Sequence, residues 1–190
     1  MLKLLLAALA VLVAASLLLA GCKDSPGTNG AKATPRPLST AAIAAEATGF
    51  SVGAPMAART VYVFFDAQCP HCNELWKNAK PLKSQAKFVW IPVGILNAAS
   101  TAQGATLLAA TDPVAAMDEH EASMLAKHGG ISASGGTEGK KDAVAKNTAL
   151  LNQFGFGSIP TIVATHAQTG ALISNEGSLS TAALTTFLGL

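Results

Sequence analysis

Cys69 and Cys72 frame the run Cys69-Pro70-His71-Cys72, directly behind the apolar stretch Thr60-Val61-Tyr62-Val63-Phe64-Phe65. Two thiols at that spacing can close a small disulfide with little backbone movement. A strand that delivers them to the start of a helix aims free backbone N–H groups and the positive end of a helix dipole at the first sulfur. That favours the thiolate, the species that attacks disulfides. The chemistry implied is thiol–disulfide exchange, with Cys69 exposed at the helix tip as nucleophile and Cys72 as the buried resolving thiol. Other chemistries fit less well. A structural bridge usually closes a longer loop, where the entropic gain is larger. Zinc needs two further ligands at comparable spacing, and no second cysteine pair exists. A c-type haem needs histidine straight after the second cysteine, where Asn73 stands. No metal and no cofactor is expected.

His71, between the cysteines, can donate toward the Cys69 thiolate or, when protonated, set a positive charge beside it. Pro70 and His71 are therefore the expected redox-tuning residues. The other histidines, His120, His128 and His166, fall in helical or hairpin segments and are expected to face solvent. Asp66 reads as a turn former at a strand end.

The N-terminus bears on the compartment. Lys3 is the only charged side chain before an apolar run from Leu4 to Leu19, which ends in Leu19-Ala20-Gly21-Cys22. A short basic start, an apolar stretch and small residues before a cut describe an export signal. The ending resembles the bacterial lipoprotein signal, which implies that residues 1–21 are removed and that Cys22 carries lipid. An uncleaved anchor is the alternative, since about twenty apolar residues can span a bilayer. Either reading tethers the rest of the chain to a membrane outside the cytoplasm, where disulfides can persist. Lys23 is not the aspartate that typically retains lipoproteins in an inner membrane, so the outer membrane, facing the periplasm, is the expected address. The charge is nearly balanced, with twelve basic and eleven acidic side chains once Lys3 is set aside. No basic stripe or interleaved aromatic platform points to nucleic acid.

Residues 22–40 are rich in Ser, Pro, Gly, Thr, Asn and Lys and read as a flexible tether. Residues 41–190 form the expected catalytic domain. Ala41 to Ala47 suits a short helix and Phe50 to Val52 a short strand. Thr60 to Phe65 is apolar almost throughout, as in a central strand covered on both faces. After the motif, Cys72, Leu75, Trp76 and Ala79 form an inward helical stripe that Pro81 kinks or ends. Lys87 to Val93 is the next strand, with Pro92 hinting at an edge or bulge. Three helices follow: Ala98 to Ala110, one capped by Asp112-Pro113 and stopped at Gly129-Gly130, and one capped by Thr137. Thr161 to Thr165 and Ala171 to Asn175 form a hairpin, and Ser180 opens a last helix to Leu188.

The ordered set Val61-Tyr62-Val63-Phe64-Phe65-Asp66, Cys69-Pro70-His71-Cys72, Trp76, Pro92-Val93-Gly94-Ile95-Leu96, Thr111-Asp112-Pro113 and Gly157-Ser158-Ile159-Pro160-Thr161-Ile162 resembles the catalytic domain of the DsbC/DsbG family of disulfide isomerases. The resemblance implies an α/β thioredoxin fold with a helical insertion between the second and third strands of the core. It implies a cis bond before Pro160, opposite the cysteines, which leaves the Ile159 backbone free to pair with an extended substrate. Ile159 and Pro160 are thus the expected substrate-binding residues. The implied partners are proteins with thiols or disulfides and a membrane redox protein of DsbD or DsbB type. Relatives also place a buried acid near the resolving thiol; Glu46 and Glu74 are the only nearby candidates. Members of that family carry an N-terminal dimerisation domain, and only the tether precedes the fold here. The expectation is a monomeric oxidase or reductase rather than a dimeric isomerase. The rival from another class is a membrane-tethered binding or scaffolding lipoprotein with a structural bridge.

Overall fold

The computed structural model describes residues 34–57 and 59–190. The expected signal at residues 1–21, Cys22 and most of the tether lie outside the described residues. From Pro35 to Leu190 the chain is one compact unit. No helix among the described residues is long and apolar enough to cross a membrane. The last residues of the expected tether are not free. The Arg36 N–H bonds the Gln153 carbonyl at 2.7 Å, and the Arg36 guanidinium pairs with Glu46 and lies over the Phe154 ring. Leu38 packs against the core. An Arg beside an aromatic face and a Leu near an apolar wall hold down a segment that composition alone marks as solvated.

The elements run α1 (Thr40–Glu46), β1 (Phe50–Val52), β2 (Thr60–Asp66), α2 (Pro70–Ala79), a 3-10 turn (Lys80–Leu82), β3 (Lys87–Val93), α3 (Ala98–Ala109), α4 (Pro113–Leu125), α5 (Glu138–Gln153), β4 (Thr161–Thr165), β5 (Leu172–Glu176) and α6 (Thr181–Leu188). The sheet order is β1-β3-β2-β4-β5. β2 and β3 are parallel, with Val63 opposite Trp90; every other pairing is antiparallel. β2 is central, and its β-branched and aromatic residues suit a strand covered on both faces. α3, α4 and α5 form the helical insertion between β3 and β4, as expected.

The core has a distinct aromatic centre. Phe50, Phe65, Trp76 and Trp90 meet edge to face, the two indoles with centroids 4.9 Å apart. Such pairs contribute about 0.5–1.5 kcal/mol each beyond their buried area. This cluster seats α2 on the sheet. Val89 and Ile91 point the other way, toward Ile43 of α1. Pro92 fits because β1 pairs only with Phe88 to Trp90, so its missing N–H costs no ladder bond on that edge.

The caps explain most boundaries. Asn97 and Ser100 make a reciprocal capping box at α3. Asp112 accepts from the Val114 and Ala115 N–H groups at α4, with Pro113 at the first helical position. Two expectations need correction. α4 ends at Leu125, four residues before Gly129, because Lys127 turns left-handed at φ 60°. Thr137 stands before α5 but makes no side-chain cap; its hydroxyl donates to the Ser134 carbonyl instead.

Asn147 on α5 stitches the insertion to the sheet. It accepts from the Thr48 N–H at 2.9 Å and donates to the Thr48 and Pro92 carbonyls at 2.8 and 2.9 Å. Its side chain is buried, so Asn147→Ala strands three backbone groups and should lower stability by about 2–4 kcal/mol. Urea unfolding followed by fluorescence of the buried Trp76 and Trp90 measures it; a loss below about 0.5 kcal/mol would contradict the stitch.

Candidate active site

β2 ends at Asp66, and the chain turns through Ala67 and Gln68 to place Cys69 at the N-cap of α2, with Pro70 at the first helical position. The Cys69 side chain caps no backbone group, so its sulfur stays available. The backbone N–H groups of His71 and Cys72 point at that sulfur from the first helical turn. Both cysteines are thiols, and both are buried: Cys69 is 6% exposed and Cys72 0%. Cys69 is thus less open than expected at a helix tip. The Ile159 backbone covers it, and the thiol donates to the Ile159 carbonyl at 3.8 Å. The Ile159–Pro160 bond is cis, as the resemblance implies. The Ile159 N–H makes no hydrogen bond among the described residues.

The two sulfurs differ sharply. Donation from the Cys72 thiol, with help from the Cys72 and His71 N–H groups and least from the His71 charge, lowers Cys69 to about 6 against the opposing effect of burial. Burial pushes the Cys72 thiol far up, and the neighbouring Cys69 and the Asp66 charge push the same way. One sulfur is a thiolate near neutral pH while the other keeps its proton. His71 is exposed, with Nδ1 3.7 Å from Glu74 Oε2. The helix end and the second thiol therefore do most of the tuning.

Asp66 is more than a turn former. It is 1% exposed, and its carboxylate accepts from the N–H groups of Gln68 at 2.9 Å, Ile95 at 2.8 Å and Leu96 at 3.0 Å. Those bonds tie the loop before Cys69 to the loop after β3. Ile95 and Leu96 are left as exposed apolar residues at the tip of that second loop.

The insertion grips the loop from its other side. His120, expected at the surface, is 0% exposed. Its Nδ1 accepts from the Ile131 N–H at 3.2 Å, so the ring proton sits on Nε2, which donates to the Ala67 carbonyl at 2.7 Å. Burial lowers its pKa, in keeping with the neutral ring. The loop closes over the imidazole at Gly130, where a Cβ would run into the ring. Gln68 donates to the Gln103 side chain and the Gly129 carbonyl, and Gln103 donates to the Gly129 and Ile131 carbonyls. A groove of about 230 Å³ lies beside the motif between α2 and α4, lined by Pro70, Asn73, Glu74, Lys77, Met124 and Leu125.

Residues 54–189 match the thioredoxin-like domain family. The chain belongs to that family. It is 32% identical over 139 residues to the thiol:disulfide interchange protein DsbG of Pseudomonas aeruginosa, covering 70% of this chain and 52% of that protein. It is also 32% identical over 104 residues to DsbG of Escherichia coli K12, covering 54% and 42%. The chain spans about half the length of the curated relatives it matches. Among solved structures, the catalytic domain of Proteus mirabilis ScsC superposes with a TM-score of 0.60 at 15% identity, covering 78% of this chain and 96% of that one. Pseudomonas aeruginosa DsbA2 gives 0.59 at 18% identity, covering 73% and 91%. These likenesses show a thioredoxin fold, insertion included.

Within this thioredoxin-like domain, the structure brings Cys69, Cys72, Ile159 and Pro160 together and leaves Pro70 and His71 on the exposed rim. The two acids singled out from sequence are elsewhere. Glu46 is paired with Arg36 on the surface, and Glu74 is exposed. Among the described residues the buried acids are Asp66 and Glu121. The spacing Met117, His120, Glu121, Met124 was the available signal, because an apolar anchor at i puts i+3, i+4 and i+7 on its own face.

In reduced chain carrying Cys22→Ser, ultraviolet thiolate absorbance should show one thiolate forming near pH 6, lost in Cys69→Ser. Cys72→Ala should raise that midpoint toward about 8.5, the free-thiol value, and His71→Ala should move it less. The reverse ranking would make the imidazole the dominant influence.

Proposed function

We propose that the domain is a thiol–disulfide oxidoreductase acting on protein thiols and disulfides through Cys69 and Cys72. The opposed protonation of the two sulfurs carries this reading. In the reducing direction the Cys69 thiolate attacks a substrate disulfide, forming the mixed disulfide and releasing the first substrate thiolate. Cys72 then loses its proton and attacks Cys69 Sγ, closing the Cys69–Cys72 bridge and releasing the second substrate thiolate. The oxidising direction is the same path reversed, with Cys69 as the better leaving group because its thiolate is the more stable. Ile159 would bind an extended substrate through its unpaired N–H, with Pro160 keeping that backbone turned to the cysteines. Such a role fits the position of Ile159 over Cys69. The 32% identity to DsbG proteins supports the same chemistry.

The N-terminal sequence supports a lipid anchor on Cys22 and a site outside the cytoplasm, where a membrane partner of DsbD or DsbB type would recharge the pair. Lys23 favours the outer membrane for that anchor. Thiol trapping of Cys69 and Cys72 in cells reads the direction: a mostly oxidised pair marks an oxidase, a mostly reduced pair a reductase or isomerase.

Insulin reduction by dithiothreitol, catalysed by the Cys22→Ser chain, should fall to the uncatalysed rate in Cys69→Ser, while Cys72→Ala should trap a mixed disulfide. A Cys22→Ser chain that reduces insulin no faster than the uncatalysed rate, the same as Cys69→Ser, would leave the scaffolding reading standing. Cys22→Ser should also move the protein out of the membrane fraction of cells. If it still pellets with membranes, Leu4–Leu19 is an uncleaved anchor.

A further inference from the structure

β2 leads to Cys69 at one end, and at its other end the fold leaves a hollow of about 420 Å³, the size of a small-ligand site. Arg59, just before β2, lines it together with Thr60 and Tyr62 of β2, Thr165 at the end of β4 and His166 in the hairpin turn. Thr60 and Tyr62 share one face of the strand, and the pairing of Val61 with Ala164 sets Thr60 across from Thr165. No acidic side chain lines the hollow.

Its polar groups are donors without protein acceptors. Arg59 has no carboxylate within ion-pair distance among the described residues, whereas Arg36, the chain's only other arginine, is held by Glu46. His166 Nδ1 accepts from the Gln168 and Thr169 N–H groups, both at 3.3 Å, so the ring proton sits on Nε2. The ring is seated against Gly189 after α6, where a Cβ would run into it. Burial raises the Tyr62 pKa, so its hydroxyl keeps the proton it can donate. Thr161, at the start of β4, donates to the Ser158 carbonyl, but the hydroxyls of Thr60, Tyr62 and Thr165 meet no protein partner among the described residues. Lys87 stands beside Thr60 in the sheet, its N–H on the Arg59 carbonyl, and adds a second cation without a carboxylate partner.

We propose that this hollow is an anion site that takes the phosphate group of a phosphate ester. A guanidinium offers two parallel N–H groups that match two phosphate oxygens. The imidazole, the phenol and the two threonine hydroxyls then serve the other oxygens. A carboxylate has only two oxygens and would leave most of these donors unmet, while the hollow has room for the esterifying group as well. The ester is either a phospholipid headgroup or a soluble phosphate ester. Thr40 is on the rim, so the chain that would carry the lipid of Cys22 enters the domain at this hollow. The site involves neither cysteine of the redox pair and stands whether or not the domain exchanges disulfides.

The test is the rate at which phenylglyoxal modifies Arg59 in the full chain, mapped by peptide mass spectrometry, with Arg36 as the internal reference. Glycerol 3-phosphate at about 20 mM should slow Arg59 by about tenfold, as a millimolar site requires, and leave Arg36 unchanged. Sodium chloride at the same ionic strength should change Arg59 by less than about twofold. Tyr62→Phe keeps the ring and removes one donor, so protection should fall to about threefold or less. Vesicles distinguish the two sources. Protection on phosphatidylglycerol vesicles but not on phosphatidylcholine vesicles assigns a lipid headgroup; protection by glycerol 3-phosphate alone assigns a soluble ester. An Arg59 that reacts equally fast under every condition, protection that chloride reproduces, or protection that Tyr62→Phe leaves intact would overturn the site.

Discussion

A thiolate buried to the extent of Cys69 survives only where fixed partial charges replace the water it has lost. The first turn of α2 supplies them. Its His71 and Cys72 N–H groups point at the sulfur, and the Cys72 thiol adds a donor from below. The rest of the structure depends on keeping that turn in place. α2 must sit with Cys69 beneath Ile159 and its stripe of Cys72, Leu75, Trp76 and Ala79 against the sheet. The aromatic cluster of Phe50, Phe65, Trp76 and Trp90 secures the second condition. A rotation of α2 that exposed Cys72 would also withdraw Trp76 from it.

The loop before Cys69 is held as firmly as the helix after it. Asp66 ties it to the loop after β3, His120 takes the Ala67 carbonyl, and Gln68 joins Gln103 and the Gly129 carbonyl. A thiolate gains from the N–H groups only if they are already oriented, because reorienting them would use up the stabilisation they provide. The insertion does this orienting: Gln103 comes from α3, His120 from α4 and the accepting carbonyls from the turn that follows α4. Its helices complete the site and contribute the groove beside the motif.

Much of this is legible in the residues. The strand, the Cys-Pro-His-Cys turn and the inward stripe of α2 follow from period-2 and period-3.6 patterning, and Pro113, Asp112 and Ser180 mark helix starts through backbone chemistry local to them. The polar interior is not legible in the same way. His120 and Glu121 share a face with Met117 and Met124, yet nothing in α4 says whether that face meets water or α2. Asp66 looks the same whether it caps a turn or gathers three N–H groups, two of which arrive from a loop about thirty residues away.

The sequence by itself determined that two thiols stand at a helix start behind a buried strand, and so that one of them is poised to react. Local spacing and backbone propensity are enough for that. Only the tertiary structure decided how far apart the two sulfurs are in proton affinity, that Ile159 covers Cys69, and which acids are dry. Those properties depend on what lies within a few ångströms of a group after the chain has closed on itself. Desolvation and charge coupling act through space, and they carry no period along the chain.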